Sequence, residues 1–285
     1  MRDWENFGSQ DDRVRYLRYI VGRYSAYNIY WILAGEYDEA PSIDFNSLGT
    51  QLARHDPHDR MIAVHTTHSS EEFADASWSG FGDYQQRYYD LENLHAFALA
   101  SRDHNKPIVQ SEYAYYLCDR DSNGQVDYLD EIMPWTRRQA WNIAMSGSYF
   151  ITGFGATVLG GLRHDWAFTD MNHQRYDDWE EQVGYIKTFF EDLEYWRLTP
   201  NDALITSGTG THHALYEVNS VYIIYAYNEV ISFQVDLSDA EGSYEGKRFD
   251  PRTGNSTSLG SYIGGDTITI SVPDTNDYCY KFTRI

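Results

Sequence analysis

Residues 28–39, NIYWILAGEYDE, decide the fold of this 285-residue chain. The first part of the stretch is short, apolar and rich in β-branched and aromatic residues, which predicts a buried strand rather than a helix. The strand ends at Gly35, and Glu36 follows directly. In barrels of parallel strands, active-site acids and bases lie at the carboxyl ends of the strands. The pattern therefore makes Glu36 a candidate catalytic residue.

A second stretch, PIVQSEY at residues 107–113, has the same plan, because a short apolar strand follows a proline and leads into Glu112. We expect Glu36 and Glu112 to face each other across one pocket, with their carboxyl groups about 4.5–6.5 Å apart. The alternative is that both are solvated acids at strand ends. Because two strands share the same plan, the interpretation in which the two glutamates face one pocket is favoured.

Predicted strands and helices alternate over the first 200 residues, which is typical of parallel βα units. An S-x-x-D capping box at Ser9 opens the first helix. Strands are predicted to start near residues 28, 61, 78, 108 and 148. Because a closed (β/α)8 barrel needs eight strands, we expect a partial TIM barrel that consists of strands 4–8. Its open sheet edges would make the chain oligomeric or poorly soluble.

The pattern changes near residue 200. From residue 203 onward the chain has turn residues and short alternating segments with no helical period: HALYEV, SVYIIYAYN, ISFQVDL, TITISV and DYCYKFTRI. Such spacing predicts an antiparallel β-sandwich. We therefore expect two domains, with residues 1–200 forming the barrel part and residues 201–285 forming the sandwich.

Composition excludes some classes of partner. A formal net charge of −21 argues against nucleic acid and against an anionic membrane surface. Aromatic residues make up 16% of the chain, and their flat faces suit sugar rings as well as an ordinary core. Cys118 and Cys279 form neither a CxxC pair nor a zinc spacing.

The compartment stays open at this point. The chain has no run of 18 apolar residues, and its polar N-terminus is not a signal peptide. Secretion or a periplasmic location is expected only if the N-terminus is truncated.

WILAGEYDE at residues 31–39, PIVQSEY at residues 107–113 and RFDPRTG at residues 248–254 together resemble the apiosidase-like glycoside hydrolases. That family, formerly a domain of unknown function, pairs a (β/α)8 barrel with a C-terminal domain described as collagen-binding. The resemblance begins near residue 11 and lacks the family's first three strands. The family usually has an aspartate in a Gly-Gly-Asp context after strand 4, where this chain has Glu36. This difference bears more on which sugar is the substrate than on which reaction is catalysed.

The resemblance implies a retaining glycoside hydrolase that acts on plant or microbial polysaccharide and requires no cofactor. Carried over, Glu36 is the acid/base and Glu112 is the nucleophile. A donor near Glu112 is expected from Arg137, Arg138 or Tyr113. Further residues at strand ends are candidate substrate contacts, although a structural role is the alternative for each: Trp31, Tyr37, Asp38, His65, His68, Trp78, Gln85, Tyr113 and Trp166.

A separate motif, DRDSNGQVD at residues 119–127, matches the opening of a calcium loop. The alternative is an acidic surface turn, which Asp, Ser, Asn and Gly favour unaided. The expected ligands of a structural Ca²⁺ are Asp119, Asp121, Asn123, Gln125, Asp127 and Asp130.

Two other functions remain open on the sequence alone. The chain could be a catalytically inert module that binds carbohydrate or protein, or a carboxylate-based hydrolase of another bond. Release of reducing sugar that depends on both glutamates would favour the glycosidase.

Overall fold

The computed structural model describes residues 4–85, 91–104, 106–113, 129–152 and 174–285. The chain forms two compact units, each described by itself below. The first unit comprises Met1–Asp90, Phe97–Tyr115 and Ser148–Phe154, and the second comprises Leu91–Ala96, Tyr116–Gly147 and Gly155–Ile285. The domain boundary near residue 200 stays a prediction, and the second unit includes helical segments that precede it.

The first unit opens with helix α1 (Gln10–Tyr24), which starts where the capping box predicts. The Ser9 hydroxyl accepts a hydrogen bond from the Asp12 backbone, and the Asp12 carboxylate accepts one from the Ser9 backbone at 3.0 Å. These two bonds satisfy backbone donors that a helix start leaves unpaired. Helix α1 packs on α2 (Phe45–His55), which Asp44 caps by accepting from the Ser47 backbone.

The strands of the first unit are short and pair in parallel: β1 (Trp31–Ile32), β2 (Ile62–Ala63), β3 (Gly82–Gln85), β4 (Ile108–Tyr113) and β5 (Tyr149–Thr152). Strand β1 pairs with β2, and β4 lies between β3 and β5. A parallel bridge between Ile62 and Ser79 joins β2 to the segment before β3. The parallel α/β pattern predicted from the sequence is therefore present.

The sequence predicts that the third strand runs from about Trp78 to Tyr84, and this is mostly wrong, because regular strand begins only at Gly82. Trp78 is buried in the core cluster of the first unit, and its indole donates to the Asn46 side chain at 2.8 Å. Its ring lies against Gly49 of α2, where an added Cβ would come within 2.4 Å of the ring. The aromatic residue thus fills the space under a helix instead of extending a strand.

The described residues form three further helices, α3 (Leu91–Ala100), α4 (Leu129–Met145) and α5 (Gln174–Phe190). The sequence predicts a helix from Pro134 to Ser146, with the proline at an early position, but helix α4 begins five residues before Pro134, so the predicted start is wrong. Proline is favoured in a first turn, but its sequence signal does not exclude a longer helix. The sequence predicts a long acidic helix from Tyr176 to Trp196, but helix α5 ends at Phe190, and Tyr195–Arg197 forms a separate 3-10 turn.

From residue 199 onward every strand pairing is antiparallel. The strands are β6 (Thr199–Pro200), β7 (Ile205–Gly208), β8 (Thr211–Glu217), β9 (Val221–Tyr227), β10 (Ser232–Asp236), β11 (Ser243–Phe249), β12 (Ser256–Ile263), β13 (Thr267–Ser271) and β14 (Tyr278–Arg284). A six-stranded sheet has the order β12-β11-β14-β9-β8-β6, and a three-stranded sheet has the order β13-β10-β7.

The two antiparallel sheets share one hydrophobic cluster. Phe233 and Ile270 from the smaller sheet pack in the same cluster as Tyr222, Tyr244 and Tyr280 from the larger sheet. All five predicted C-terminal segments are strands, but four strands were not predicted: the short β6 and β7, and the longer β11 and β12. Serine, threonine and glycine make up most of β12, and most of its residues are exposed, so no apolar alternation marks it.

A buried ion pair lies inside the second unit. The Arg137 guanidinium on α4 donates to both carboxylate oxygens of Asp277, at 3.0 and 2.6 Å, and the Tyr225 hydroxyl donates to the same carboxylate at 3.0 Å. Burial alone would raise the pKa of Asp277, but the Arg137 hydrogen bonds outweigh it and hold that pKa below its usual range. The pair joins a helix to the segment that enters β14.

No helix among the described residues is both long enough and apolar enough to cross a membrane.

We predict that Asp277→Asn lowers the free energy of unfolding by about 3–5 kcal/mol, because it leaves a buried guanidinium without its counter-charge. Urea denaturation of the full chain measures this loss. Lys247→Ala is the control, because Lys247 and its partner Glu245 are both well exposed. Equal midpoints for Asp277→Asn and the parent chain would contradict the role assigned to the pair.

Candidate active site

The carboxyl ends of β1 and β2 are held side by side by backbone hydrogen bonds. The His65 amide donates to the Ala34 carbonyl at 2.9 Å, and the Tyr37 amide donates to the His65 carbonyl at 3.0 Å. Glu36 therefore lies between two residues that are bonded to the His65 backbone. In the neighbouring parallel pair, Gln85 of β3 is the register partner of Glu112 on β4.

Both oxygens of the Glu112 carboxylate have a donor beside them. The Gln85 side-chain amide donates to Oε2, and the His65 Nε2 lies 3.1 Å from Oε1. The Glu112 backbone amide donates to the Gln110 side chain at 2.7 Å. These contacts fix both the main chain and the carboxylate of Glu112.

His65 bridges two carboxylates. Its Nδ1 lies 3.0 Å from Asp83 Oδ1 and 2.8 Å from the Ser111 hydroxyl, while its Nε2 faces Glu112. Burial alone would lower the pKa of His65, but contacts with Asp83 and Glu112 outweigh burial and raise that pKa to about 10. His65 is therefore an imidazolium at neutral pH.

Strand β4 is irregular at the residues that meet His65. Its register with β3 shifts between Tyr84 and Gln85, and its register with β5 shifts between Gln110 and Tyr113. Side chains normally alternate across a regular strand, so consecutive residues cannot reach one group. The irregularity brings Ser111 and Glu112 to the same imidazole, which is typical of bulges beside active sites.

Glu36 has a left-handed backbone, with φ 46° and ψ 57°. A residue other than glycine in this conformation costs on the order of 1–3 kcal/mol, and such strain is concentrated at functional sites. The positive φ ends the extended chain of β1 and starts the 3-10 turn Tyr37–Glu39. This geometry could not be read from the sequence.

Asp38 and His68 form a more exposed group beside Glu36. The Asp38 carboxylate accepts from the Thr67 backbone at 3.0 Å and also from the Thr67 hydroxyl, and it lies 3.9 Å from His68 Nδ1. Burial raises the pKa of Asp38, but the Thr67 hydrogen bonds and His68 reverse that effect and lower it. The His68 side chain is 56% exposed, so it is accessible to a bound molecule.

Two tyrosines from the predicted set pack against aromatic rings, Tyr37 as a half-buried residue and Tyr113 as a fully buried one. Tyr37 packs edge-on against Phe45 and Phe73, and burial with the nearby Glu72 raises the pKa of its hydroxyl. Tyr113 is fully buried with its ring edge-on to Phe150. Both rings support the walls beside the carboxylates.

Two tryptophans predicted to contact substrate are core residues instead. Trp31 is 8% exposed and its indole donates to the buried Asp56 carboxylate at 3.0 Å, and Trp78 lies against α2. Both rings point into the hydrophobic cluster that α1 and α2 cover, so neither has a free face for a sugar ring.

The expected cationic donors to Glu112 are also placed elsewhere. Arg137 is committed to Asp277, and the Arg138 Nε lies 3.7 Å from the same carboxylate. His65 and Gln85 occupy the place beside Glu112. The sequence reading missed Asp83 and Ser111, for which no motif exists, since both reach His65 through strand pairing.

The remaining predicted site residues cannot be placed. Trp166 lies outside the described residues, and the predicted calcium ligands lie outside those whose side chains the structure describes.

A family model described as "Apiosidase-like, catalytic domain" matches residues 2–197. No curated protein matches the chain. A solved glycoside hydrolase superposes with a TM-score of 0.76 at 17% identity, covering 96% of this chain and 69% of that protein. A family 5 glycoside hydrolase from Bacteroides vulgatus gives 0.77 at 17% identity, covering 96% and 66%. A family 30 endoxylanase from Clostridium papyrosolvens gives 0.57 at 11% identity, covering 96% and 72%.

These structural similarities show a shared fold, and the chain spans about two thirds of the length of the first two structures. The family model covers well over half of the chain and confirms the resemblance read from the sequence. The collagen-binding character of the C-terminal part stays a prediction. The chain belongs to the apiosidase-like catalytic domain family.

Proposed function

We propose that the protein is a retaining glycoside hydrolase in which Glu112 is the nucleophile and Glu36 is the acid/base. The observation that carries the proposal is the Glu112 carboxylate, which lies between the His65 imidazolium and the Gln85 amide at a strand end that adjoins the Glu36 turn. Membership of the apiosidase-like family and the glycoside hydrolase fold of the structural neighbours support it.

We further propose that β1 to β5 correspond to strands 4–8 of a (β/α)8 barrel and that the C-terminal sheets form a β-sandwich. The parallel pairing of the five strands and the shared cluster of the two antiparallel sheets support this architecture. In a barrel, strand ends converge on one face. That convergence would bring Glu36 and Glu112 to the separation of about 5–5.5 Å that retention requires.

In the first step, a Glu112 oxygen would attack the anomeric carbon while Glu36 donates its proton to the leaving glycosidic oxygen. The C–O bond breaks, the leaving group departs as an alcohol, and a glycosyl ester forms on Glu112. In the second step, the Glu36 carboxylate takes a proton from water, whose oxygen attacks the anomeric carbon and releases Glu112. The two inversions give net retention.

His65 and Gln85 would position the nucleophile instead of reacting themselves. Gln85 donates to one oxygen of Glu112 and the His65 Nε2 lies 3.1 Å from the other, so both oxygens have a partner before substrate binds. Asp83 in turn fixes the His65 ring through Nδ1. Such preorganisation lowers the cost of reaching the reactive geometry.

Asp38 and His68 are the proposed substrate contacts, because both are partly exposed beside the Glu36 turn. A carboxylate accepts from pairs of hydroxyls and an imidazole can donate or accept, which matches a sugar. The sugar and the linkage are left to experiment. A structural Ca²⁺ at residues 119–130 remains a separate prediction.

We predict that Glu112→Gln and Glu36→Gln each lower kcat/KM on polysaccharide by at least about 10³-fold, because each removes a reacting carboxyl group. Reducing-sugar release from a panel of plant polysaccharides, including an apioside, measures the loss. Glu39→Gln is the control, because Glu39 is an exposed acid in the turn that follows Glu36. On dinitrophenyl glycosides, Glu36→Gln should retain more glycosylation activity than Glu112→Gln, because a good leaving group needs no proton.

Two outcomes would contradict the proposal. Full activity of either glutamine variant would remove that residue from the mechanism. Tight sugar binding with no turnover by the parent chain would favour the inert binding module.

We predict that His65→Gln lowers kcat by about 10- to 100-fold with little change in KM, because a hydrogen bond to a charged group is worth about 1.5–3 kcal/mol. His58→Gln is the control, since the His58 side chain is exposed in the turn that follows α2.

The same variant has a pH signature. The pKa of His65 is about 10 in the folded protein and about 6.5 in the unfolded chain. The charge on His65 therefore stabilises the fold fully below pH 6.5, and this stabilisation is lost as the pH rises toward 10. The melting temperature of the parent should exceed that of His65→Gln most at pH 6, and the difference should shrink by pH 10. A difference that stays constant over this range would contradict a charged His65.

A further inference from the structure

A second group of polar side chains lies inside the second unit, away from the glutamates. It consists of His95 on α3, Asp202 in the 3-10 turn Asp202–Leu204, and His213 on β8. The His95 Nε2 lies 3.1 Å from Asp202 Oδ2, and the His213 Nδ1 lies 3.0 Å from the same oxygen. One ligand atom from each residue falls within 4.8 Å of the other two.

The surroundings fix which atoms face one another. The Asp202 Oδ1 accepts from the Ala214 backbone amide at 2.7 Å, so Oδ2 is the atom left for the two imidazoles. The His95 Nδ1 lies 3.1 Å from the Asn142 carbonyl, which can only accept. His95 must therefore donate from Nδ1, and its Nε2 is directed at Asp202.

Both nitrogens of His95 thus face oxygen atoms. A neutral imidazole has one donor and one acceptor, so a neutral His95 that donates from Nδ1 turns the lone pair of its Nε2 toward Asp202. His95 is 3% exposed, and its ring stacks on the His213 ring at 3.6 Å between centroids. A metal ion on Nε2 would satisfy the lone pair of a neutral ring, and a backbone carbonyl on the other nitrogen is the usual outer contact of a metal-bound histidine.

The spacing suits a small divalent ion. Ligand atoms at about 2.0–2.1 Å around a tetrahedral ion lie about 3.3 Å apart, so the two nitrogen–oxygen separations here need to widen by only a few tenths of an ångström. Asp202 and His213 also line a cleft of about 520 Å³ that extends along residues 205–212, so solvent can reach a fourth position.

We propose that His95 Nε2, Asp202 Oδ2 and His213 Nδ1 bind a zinc-class divalent ion whose fourth ligand is water from the cleft. Two imidazoles with one carboxylate suit Zn²⁺ or Co²⁺, whereas Mg²⁺ and Ca²⁺ prefer oxygen ligands. The ion would join α3 to β8, elements that are more than 100 residues apart in sequence. This site is independent of the proposed glycosidase reaction.

The test uses the full chain, purified without a histidine tag and stripped with a chelator. Titration with Co²⁺ should give tetrahedral absorption bands between about 500 and 700 nm that saturate at one equivalent, with an apparent Kd below about 1 µM. Zn²⁺ should displace the bands, Mg²⁺ should not, and Zn²⁺ should raise the melting temperature of the stripped protein.

Asp202→Asn and His213→Asn should each weaken Co²⁺ binding by at least 100-fold. His212→Asn is the matched control, because the neighbouring His212 ring packs on Phe233 at 5.2 Å and is outside the group. Circular dichroism checks that each variant is folded. If a variant does not fold, the Co²⁺ titration of the parent chain still tests the site.

Three results would overturn the assignment. One is the lack of a one-equivalent tetrahedral spectrum in the parent. Another is a melting temperature that Zn²⁺ does not change. The last is loss of binding in His212→Asn equal to that in His213→Asn, since the chain has ten histidines that could bind metal weakly elsewhere.

Discussion

The candidate active site in the first unit depends on the contact between the His65 imidazolium and the Glu112 carboxylate. His65 can reach Glu112 only because β2 and β4 run parallel and their carboxyl ends lie at one edge. Burying an imidazolium is costly, and Asp83 together with Glu112 offsets that cost by raising the pKa of His65 to about 10. The same arrangement holds a carboxylate in one orientation, which is what a nucleophile needs. The strained Glu36 turn adjoins it through the His65 backbone.

The second unit depends on buried polar groups of another kind. Its hydrophobic cluster is rich in tyrosine, and the hydrogen-bonded pair of Arg137 and Asp277 lies where α4 meets the antiparallel strands. Removing one partner of such a pair costs far more than the pair itself contributes, because the remaining charge is left buried. We therefore expect the unit to tolerate substitution poorly at these positions.

Part of this structure could be predicted from the sequence because its signals are local. The Ser9 capping box, the short apolar strands and the acids that follow them all act within a few residues, and they gave the parallel strands and the two glutamates. Contacts between side chains that are far apart in sequence leave no such local pattern. The roles of His65 and Arg137 depend on Asp83 and Asp277, which are 18 and 140 residues away in sequence. Trp31 and Trp78 were misplaced for a related reason, since an aromatic residue at a strand end fills a core as readily as it binds a sugar.

The central claim is that Glu112 attacks the sugar, and covalent trapping tests it most directly. An activated 2-deoxy-2-fluoro glycoside of the sugar released in the activity screen should inactivate the enzyme, because the fluorine slows the second step more than the departure of a good leaving group slows the first. Peptide mass spectrometry should then find one glycosyl group per chain, attached to Glu112. A label on Glu36, or turnover with inversion and no label, would contradict the mechanism.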